Sequence, residues 1–287
     1  MPELPEVETI CRGLEPAING KIIAAVQQRR KDLRVPFPRN LKGKLDGREI
    51  LYIRRRAKYI VIGLGSATRD KAFEATLIIH LGMPGRIIIT RKPYAPEKHD
   101  HLLLSFSDGT CIVLNDPRRF GMVLYNKGEN LEALPSFHKM GPEPLGNHFH
   151  GDSLYKALQK RSTSIKSALL NQHVVAGLGN IYVCEALFLA GIHPEENTRN
   201  ITTRKADKLV QAIRDVLRKA IKAGGSTLKD YRKADGSLGY FQYGFAVYDR
   251  EGQACPNCTC RAKEKVIRIQ QAGRSTFFCA KKQKKAA

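Results

Sequence analysis

Eight short segments rich in β-branched and aliphatic residues crowd the first 125 positions, and none is long enough for an ordinary helix: Ile22–Val26, Ile50–Ile53, Tyr59–Leu64, Thr76–Leu81, Arg86–Thr90, His101–Phe106, Thr110–Leu114 and Gly121–Tyr125. Gly, Pro and charged residues separate them. Runs of this length and composition predict an antiparallel sandwich or barrel. The polar stretch Ser66–Phe73 reads as a hairpin tip. Ahead of the first run, Glu3–Leu14 has helix character, with Pro5 tolerated in its first turn.

The pattern changes at the breaker cluster Gly141-Pro142-Glu143-Pro144. Beyond it, Ser153–Gln159, Ser164–Asn171, Ile181–Ala190 and Thr203–Ala223 carry helical periodicity. In the last of these Leu209, Ile213, Val216, Leu217, Ala220 and Ile221 make one apolar stripe, and Gly224-Gly225 ends it. A Gly-rich polar stretch, Ser226–Gly244, precedes a small Cys-bearing unit with strand-like Lys265–Gln270 and Arg274–Phe278. The expected organisation is a β-sandwich over 1–140, a helical domain over 141–244 and a small β-hairpin module over 245–287.

Lys and Arg number 49 against 27 Asp and Glu, a formal charge of +22. Such an excess suits a polyanion, because each cation placed on a phosphate releases a condensed counterion. A basic soluble enzyme with small acidic substrates is the lesser reading of composition alone. No apolar run reaches the roughly 18 residues of a membrane span, so no membrane partner is expected. Glu3, Glu6 and Glu8 occupy the place of a positive secretory n-region, which points to the cytoplasm and away from disulfides. Of seven Cys, Cys11, Cys111 and Cys184 are scattered and read as buried small hydrophobes, whereas Cys255, Cys258, Cys260 and Cys279 gather near the end. That clustering indicates a metal site.

The opening Met1-Pro2-Glu3-Leu4-Pro5-Glu6-Val7-Glu8-Thr9 admits two readings. Loss of Met1 leaves Pro2 with a free secondary amine, a nucleophile able to form an iminium, beside carboxylates suited to general acid/base work. Pro followed by Glu is also an ordinary helix start. Taken alone, Met83 and Phe120 read as core residues and Lys58 as one more cation in a solvated run.

Across nearly its whole length the sequence resembles the formamidopyrimidine-DNA glycosylase (MutM) family. The resemblance rests on Met1–Thr9, Arg55-Arg56-Ala57-Lys58-Tyr59, His80-Leu81-Gly82-Met83, Glu97-Lys98-His99-Asp100-His101, Asp116-Pro117-Arg118-Arg119-Phe120-Gly121, Gly177-Leu178-Gly179-Asn180-Ile181-Tyr182, Gly239-Tyr240-Phe241-Gln242 and Gly273-Arg274-Ser275-Thr276-Phe277-Phe278-Cys279, in that order. It implies an N-terminal β-sandwich, a helix-two-turn-helix domain and a zinc-finger-like hairpin, with DNA in the cleft between domains. It also implies a monomer that excises oxidised purines from double-stranded DNA and cleaves the abasic site by β,δ-elimination in base excision repair.

By the same resemblance Pro2 is the nucleophile and Glu3 the general acid/base. Lys58 assists the first elimination and Arg274 serves the second. Met83, Arg118 and Phe120 form a wedge that fills the gap left by the flipped nucleotide, residue types suited to packing, hydrogen bonding and stacking. His99, Arg118, Arg161 and Asn180 are expected on DNA, Asn180 in the helix-two-turn-helix turn. The sister endonuclease VIII branch, acting on oxidised pyrimidines, and a catalytically silent damage-binding homologue are the rival readings. Leu4, Arg118-Arg119-Phe120 and the Ser226–Gln242 loop resemble the purine branch.

The metal module departs from the family. Cys255-Pro-Asn-Cys258 has zinc-ligand spacing, but the second pair reads Cys279-Ala280-Lys281-Lys282. Lys282 stands where the last ligand belongs, and the intervening loop is longer than usual. Cys260 is an extra thiol able to become the fourth ligand, giving one structural Zn²⁺ held by Cys255, Cys258, Cys260 and Cys279. A three-thiolate site and a finger held by packing alone are the alternatives.

Overall fold

Glu3 and the residues after it start a helix because every third or fourth side chain is apolar: Leu4, Val7, Ile10, Leu14 and Ile18 are all fully buried. In this computed structural model, which describes residues 2–67, 72–226, 239–256 and 265–285, that helix is α1 (Leu4–Ile18). It outruns the expected end at Leu14 and carries Pro16 in its last turn. Burial of Ile18 on the same stripe accounts for the extra turn.

The strands are β1 (Ile23–Gln28), β2 (Glu49–Arg56), β3 (Tyr59–Gly65), β4 (Phe73–His80), β5 (Arg86–Arg91), β6 (Asp100–Phe106), β7 (Thr110–Asn115) and β8 (Met122–Lys127). They form two four-stranded antiparallel sheets, ordered β1-β6-β7-β5 and β2-β3-β4-β8. The architecture is the sandwich of the two expected options. Side-chain alternation sorts the faces. Leu102, Leu104, Ile112 and Leu114 join Ile60, Ile62, Leu77, Ile79 and the α1 stripe in the main core. The intervening Leu103, Cys111 and Val113 build a second, smaller cluster on the other face. A short helix, α2 (Leu41–Leu45), was not expected. Asn40, in the left-handed region at φ 50, caps it by accepting the Gly43 N–H at 3.3 Å.

The chain divides into two compact units. The first comprises 1–138 and 223–240, so a segment after the helices returns to the sandwich. Its attachment is specific: the Ser226 N–H and hydroxyl donate to Glu6 Oε1 at 2.8 and 3.0 Å.

The second unit, 139–222 and 241–287, contains α3 (Gly151–Gln159), α4 (Ile165–Leu170), α5 (Asn180–Ala190), α6 (Thr203–Lys222) and the hairpin β9 (Ile267–Gln271) and β10 (Arg274–Phe278). α5 is buried on nearly all sides, as a central helix must be. The α4–α5 connection is shaped by Gln172, which accepts the Gly177 N–H at 2.8 Å and donates to Leu178 O at 2.9 Å. Ala272 and Gly273, both at positive φ, close the hairpin turn. No described helix is long and apolar enough to cross a membrane.

At the end of β4 the His80 ring packs on Tyr59, centroids 4.8 Å apart, and Tyr59 packs on Phe137 at 4.7 Å. His80 Nδ1 accepts the Gly82 N–H at 3.1 Å, which requires a neutral ring. Burial, then the charges of Lys58 and Arg34, hold the His80 pKa at about 4 against its ordinary 6.5. The unfolded chain therefore binds a proton here at a pH where the folded chain does not. The stabilisation is complete above 6.5 and is lost as pH falls toward 4. His80→Asn keeps an acceptor for Gly82 but does not titrate. Chemical denaturation from pH 7 to pH 4 should show wild type losing roughly 2–3 kcal/mol more than this variant. Parallel pH profiles would remove His80 from the balance.

Candidate functional site

In the sandwich unit, Pro2 and Glu3 are buried at the head of α1. Glu3 is the N-cap residue in extended conformation, and its N–H donates to Glu6 Oε2 at 2.9 Å. With Ser226 on its other oxygen, one Glu6 carboxylate joins the start of α1 to the returning segment. Sequence reasoning took Glu6 only as one of the carboxylates suited to general acid/base work. The spacing Glu3-x-x-Glu6 at a helix start was the available signal.

Lys58 and Ala57 make the tight turn between β2 and β3, where Ala57 sits at φ 52 and its carbonyl accepts from Arg55 Nη1 at 3.0 Å. Arg55 also bonds Glu8 of α1 through Nε at 3.1 Å. Lys58 is only 8% exposed, unlike a solvated cation in a basic run.

The turn after β4 and the turn before β8 carry Met83 and Phe120, which are 44% and 40% exposed. Read singly they looked like core residues, yet the fold leaves both largely outside. The Arg118 guanidinium lies 4.6 Å from the centre of the Phe120 ring, so Arg118 and Phe120 form one stacked pair. His99 is half-buried, its ring edge-on to His101 with centroids 6.5 Å apart. Tyr94 and Asn115 donate to the fully buried Asp100 carboxylate beside it at 2.8 Å each, and the Glu97 N–H does so at 2.8 Å.

In the helical unit, Arg274 opens β10 and is exposed. The next carbonyl, Ser275 O, accepts from Lys166 Nζ at 3.0 Å and from Asn180 Nδ2 at 2.9 Å. Lys166 also donates to Thr276 Oγ1 at 2.5 Å and is fully buried. Burial, with a repulsive contribution from Arg274, pushes the Lys166 ammonium below its ordinary pKa. Asn180, expected on phosphate, thus uses its amide N–H₂ to hold the strand that bears Arg274, while its Oδ1 is buried without a hydrogen-bond partner among the described residues. Arg161 donates through Nη1 to Ala157 O at 2.6 Å, near the end of α3. Ser164 caps α4 by accepting the Ser167 N–H. Lys166 was missed because a buried lysine and a surface lysine read alike until their partners are known.

Cys255 and Cys279 are buried in one apolar cluster with Cys184, Phe188, Val247, Val266 and Phe277. Cys258 and Cys260 lie outside the described residues. No group of three His, Cys, Asp or Glu that could hold a metal occurs among the described residues. Lys282, at the position of the missing ligand, places its ammonium 4.0 Å from the Phe188 ring centre. Cys255 and Cys279 carry thiols of the kind zinc takes as ligands, and the ammonium of Lys282 is no such donor.

Residues 1–123 match the formamidopyrimidine-DNA glycosylase N-terminal domain, and residues 140–232 match the formamidopyrimidine-DNA glycosylase H2TH domain. The formamidopyrimidine-DNA glycosylase of Ruegeria pomeroyi is 48% identical, covering 99% of this chain and 100% of the relative. That of Dinoroseobacter shibae is 50% identical, covering 97% and 98%. Among solved structures, a mutant of the Lactococcus lactis protein FPG in complex with a Fapy-dG containing DNA superposes with a TM-score of 0.87 at 36% identity, over 99% of this chain and 100% of that one. The MutM (FPG) protein of Thermus thermophilus superposes with a TM-score of 0.84 at 36% identity, over all of both chains. Two domain matches along one chain, with relatives near half identity over their full length, show that this protein belongs to the formamidopyrimidine-DNA glycosylase family.

Proposed function

We propose that this chain acts as a monomer on double-stranded DNA, excising 8-oxoguanine and formamidopyrimidines and then cutting the strand at the abasic site. The reading is carried by the buried Pro2-Glu3 pair at the head of α1, in a chain whose Lactococcus lactis relative is seen with Fapy-dG containing DNA. Removal of Met1 leaves Pro2 with a free secondary amine, a nucleophile able to form an iminium. The stacked Arg118–Phe120 pair and the exposed Met83 suit a wedge that replaces an extruded nucleotide. His99, Arg161 and Asn180 are proposed to contact the DNA backbone.

With Met1 removed, the Pro2 nitrogen attacks C1′ of the damaged nucleotide, the electron pair of the glycosidic bond leaves with the base, and the base takes up the proton that the nitrogen loses. Glu3 delivers a proton to the ring oxygen. The sugar opens, and the nitrogen lone pair forms an iminium with C1′. That iminium acidifies C2′, whose deprotonation expels the 3′ phosphate with help from Lys58. A second deprotonation, at C4′, expels the 5′ phosphate. A guanidinium holds its protons too tightly to be a good proton donor, so Arg274 serves as a phosphate clamp.

Zinc, when bound by Cys255, Cys258, Cys260 and Cys279, supplies a cross-link at the base of the hairpin and no chemistry. Gln283 holds the same turn from the other side, accepting the Cys279 N–H at 2.9 Å and donating to Ile192 O at 2.9 Å.

Borohydride reduction in the presence of an abasic-site oligonucleotide should trap the mature protein covalently, and a protein with residues left ahead of Pro2 should bind damaged DNA without being trapped. Trapping of the extended protein would exclude Pro2 as nucleophile. In the same assay series Glu3→Gln should slow 8-oxoguanine excision by about 10²–10⁴-fold with little change in affinity. Faster release of thymine glycol than of 8-oxoguanine by wild type would move the chain to the pyrimidine branch.

Metal analysis tests the hairpin. Zinc should co-purify at about one per chain, and Cys260→Ser should lower the occupancy and weaken DNA binding, because the strand bearing Arg274 loses its anchor. Full occupancy in the Cys260 variant would assign the fourth ligand elsewhere.

A further inference from the structure

Asp116 is fully buried at the end of β7, one residue before the segment that bears Arg118 and Phe120. Its Oδ1 accepts the N–H groups of Arg118 at 3.3 Å and Arg119 at 3.0 Å, and its Oδ2 accepts the N–H of Gly121 at 2.7 Å. The main chain of the same residue is held on both sides. Its N–H donates to the His99 carbonyl at 3.0 Å, and its carbonyl is engaged by His101 Nε2 at 2.8 Å. Three converging N–H groups bend the turn tightly enough to set Arg119 in the left-handed region at φ 57, where a non-glycine residue is disfavoured.

The turn bearing Met83 rests directly on this one. Gly82 has φ 67, and a Cβ there would lie 2.4 Å from the Phe120 carbonyl carbon and 2.6 Å from the Gly121 nitrogen. A Cβ on Gly121 would lie 2.8 Å from the His80 carbonyl oxygen and 3.0 Å from Asp116 Oδ2. Backbone therefore packs on backbone, with no side chain to cushion a shift. Whatever fixes the Arg118–Gly121 turn also fixes the turn that presents Met83.

We infer that Asp116 is the positioning residue for both arms of the wedge, holding Met83 and the Arg118–Phe120 pair as one rigid body and tying it to the His99 segment. This rests on the wedge role proposed above. Extruding a stacked base is uphill, and a wedge that must first order itself adds its own ordering to that barrier. Asp116 touches neither base nor sugar in this reading. It acts through the turn, so its influence should be confined to substrates that must be unstacked.

Asp116→Asn tests this. An amide offers one acceptor oxygen where three N–H groups converge, and its N–H₂ opposes at least one of them. Two rates are compared: single-turnover excision of 8-oxoguanine from a duplex, and borohydride trapping on a single-stranded oligonucleotide with a preformed abasic site, where nothing needs extruding. The ratio of the first to the second should fall by roughly 10- to 100-fold. Asp116→Glu, which keeps the charge but misplaces the oxygens by one methylene, should lower the ratio in the same direction and serves where the asparagine variant folds poorly. A purely structural role lowers both rates in step and leaves the ratio unmoved. An unmoved ratio in the Asp116 variants, with a reduced ratio in a Met83→Ala/Phe120→Ala protein, overturns the inference while leaving the wedge intact. An unmoved ratio in that double variant as well overturns the wedge and the inference with it.

Discussion

Irregular backbone inside a protein must find acceptors for its N–H groups, and here buried carboxylates supply them. Glu6, Asp100, Asp116 and Glu185 are each at most 4% exposed. Glu6 takes the N–H groups of Glu3 and Ser226, Asp116 those of Arg118, Arg119 and Gly121, and Glu185 those of Ala246, Val247 and Tyr248. A buried N–H left without a partner costs about 1–3 kcal/mol, so each such cluster fixes its segment far more firmly than turn propensity would. Burial alone pushes the Glu185 pKa up, and the three N–H groups pull it back, which shows how closely the carboxylate and its segment depend on one another. The segments held in this way include the head of α1, the turn bearing Arg118 and Phe120, and the stretch leading to the hairpin.

Regular elements were legible because their periodicity is local. The strands announced themselves through runs such as Tyr59–Leu64 and Thr110–Leu114, and α6 through its apolar stripe. What failed was also local. Leu41-Lys42-Gly43-Lys44-Leu45 has only two apolar residues and a central glycine, so nothing marks it as a helix before Asn40 is seen to cap it. Pro16 hid the last turn of α1, which burial of Ile18 sustains. Read alone, Lys58 looked like a member of a solvated run, yet it is buried. Glu6 and Ser226 are partners separated by 220 positions, a pairing that no window of sequence contains. Fold class is written in local pattern, whereas the supports of the candidate site are written in long-range pairs.

The end of the C-terminal hairpin is held by contacts that need no metal. At 282 the chain has an ammonium, and that ammonium sits over the Phe188 ring of α5 at 4.0 Å. Next to it the fully buried Gln283 brackets the turn, its side chain bonded to Cys279 N and Ile192 O and its own N–H to Cys279 O at 2.8 Å. A cation–π contact and a doubly bonded amide thus hold the end of β10 onto α5 without a donor atom at 282. Cys279, one of the proposed zinc ligands, is the residue that Gln283 brackets, so a metal bound there would act at the same end of the hairpin and add to these contacts.

Lys166 completes the pattern with the sign reversed. Burying an ammonium is costly unless its protons find acceptors, and this one finds Ser275 O and Thr276 Oγ1 on the strand that begins with Arg274. Asn180 adds a second donor to the same carbonyl, so the peptide plane beside Arg274 is fixed from two helices, α4 and α5. The nearby Arg274 charge works against the ammonium, and the contact persists because those acceptors outweigh the repulsion. Charge in this +22 chain therefore has two distinct uses. Exposed cations such as Arg204 and Arg274 face solvent, where the proposed function gives their number a polyanion to act on. Three of the buried charges stand directly behind the residues proposed to do the work: Glu6 behind Pro2 and Glu3, Asp116 behind Arg118 and Phe120, Lys166 behind Arg274. A surface lysine can be moved along the chain with little loss, but each of these buried groups is specified by the backbone atoms it must reach.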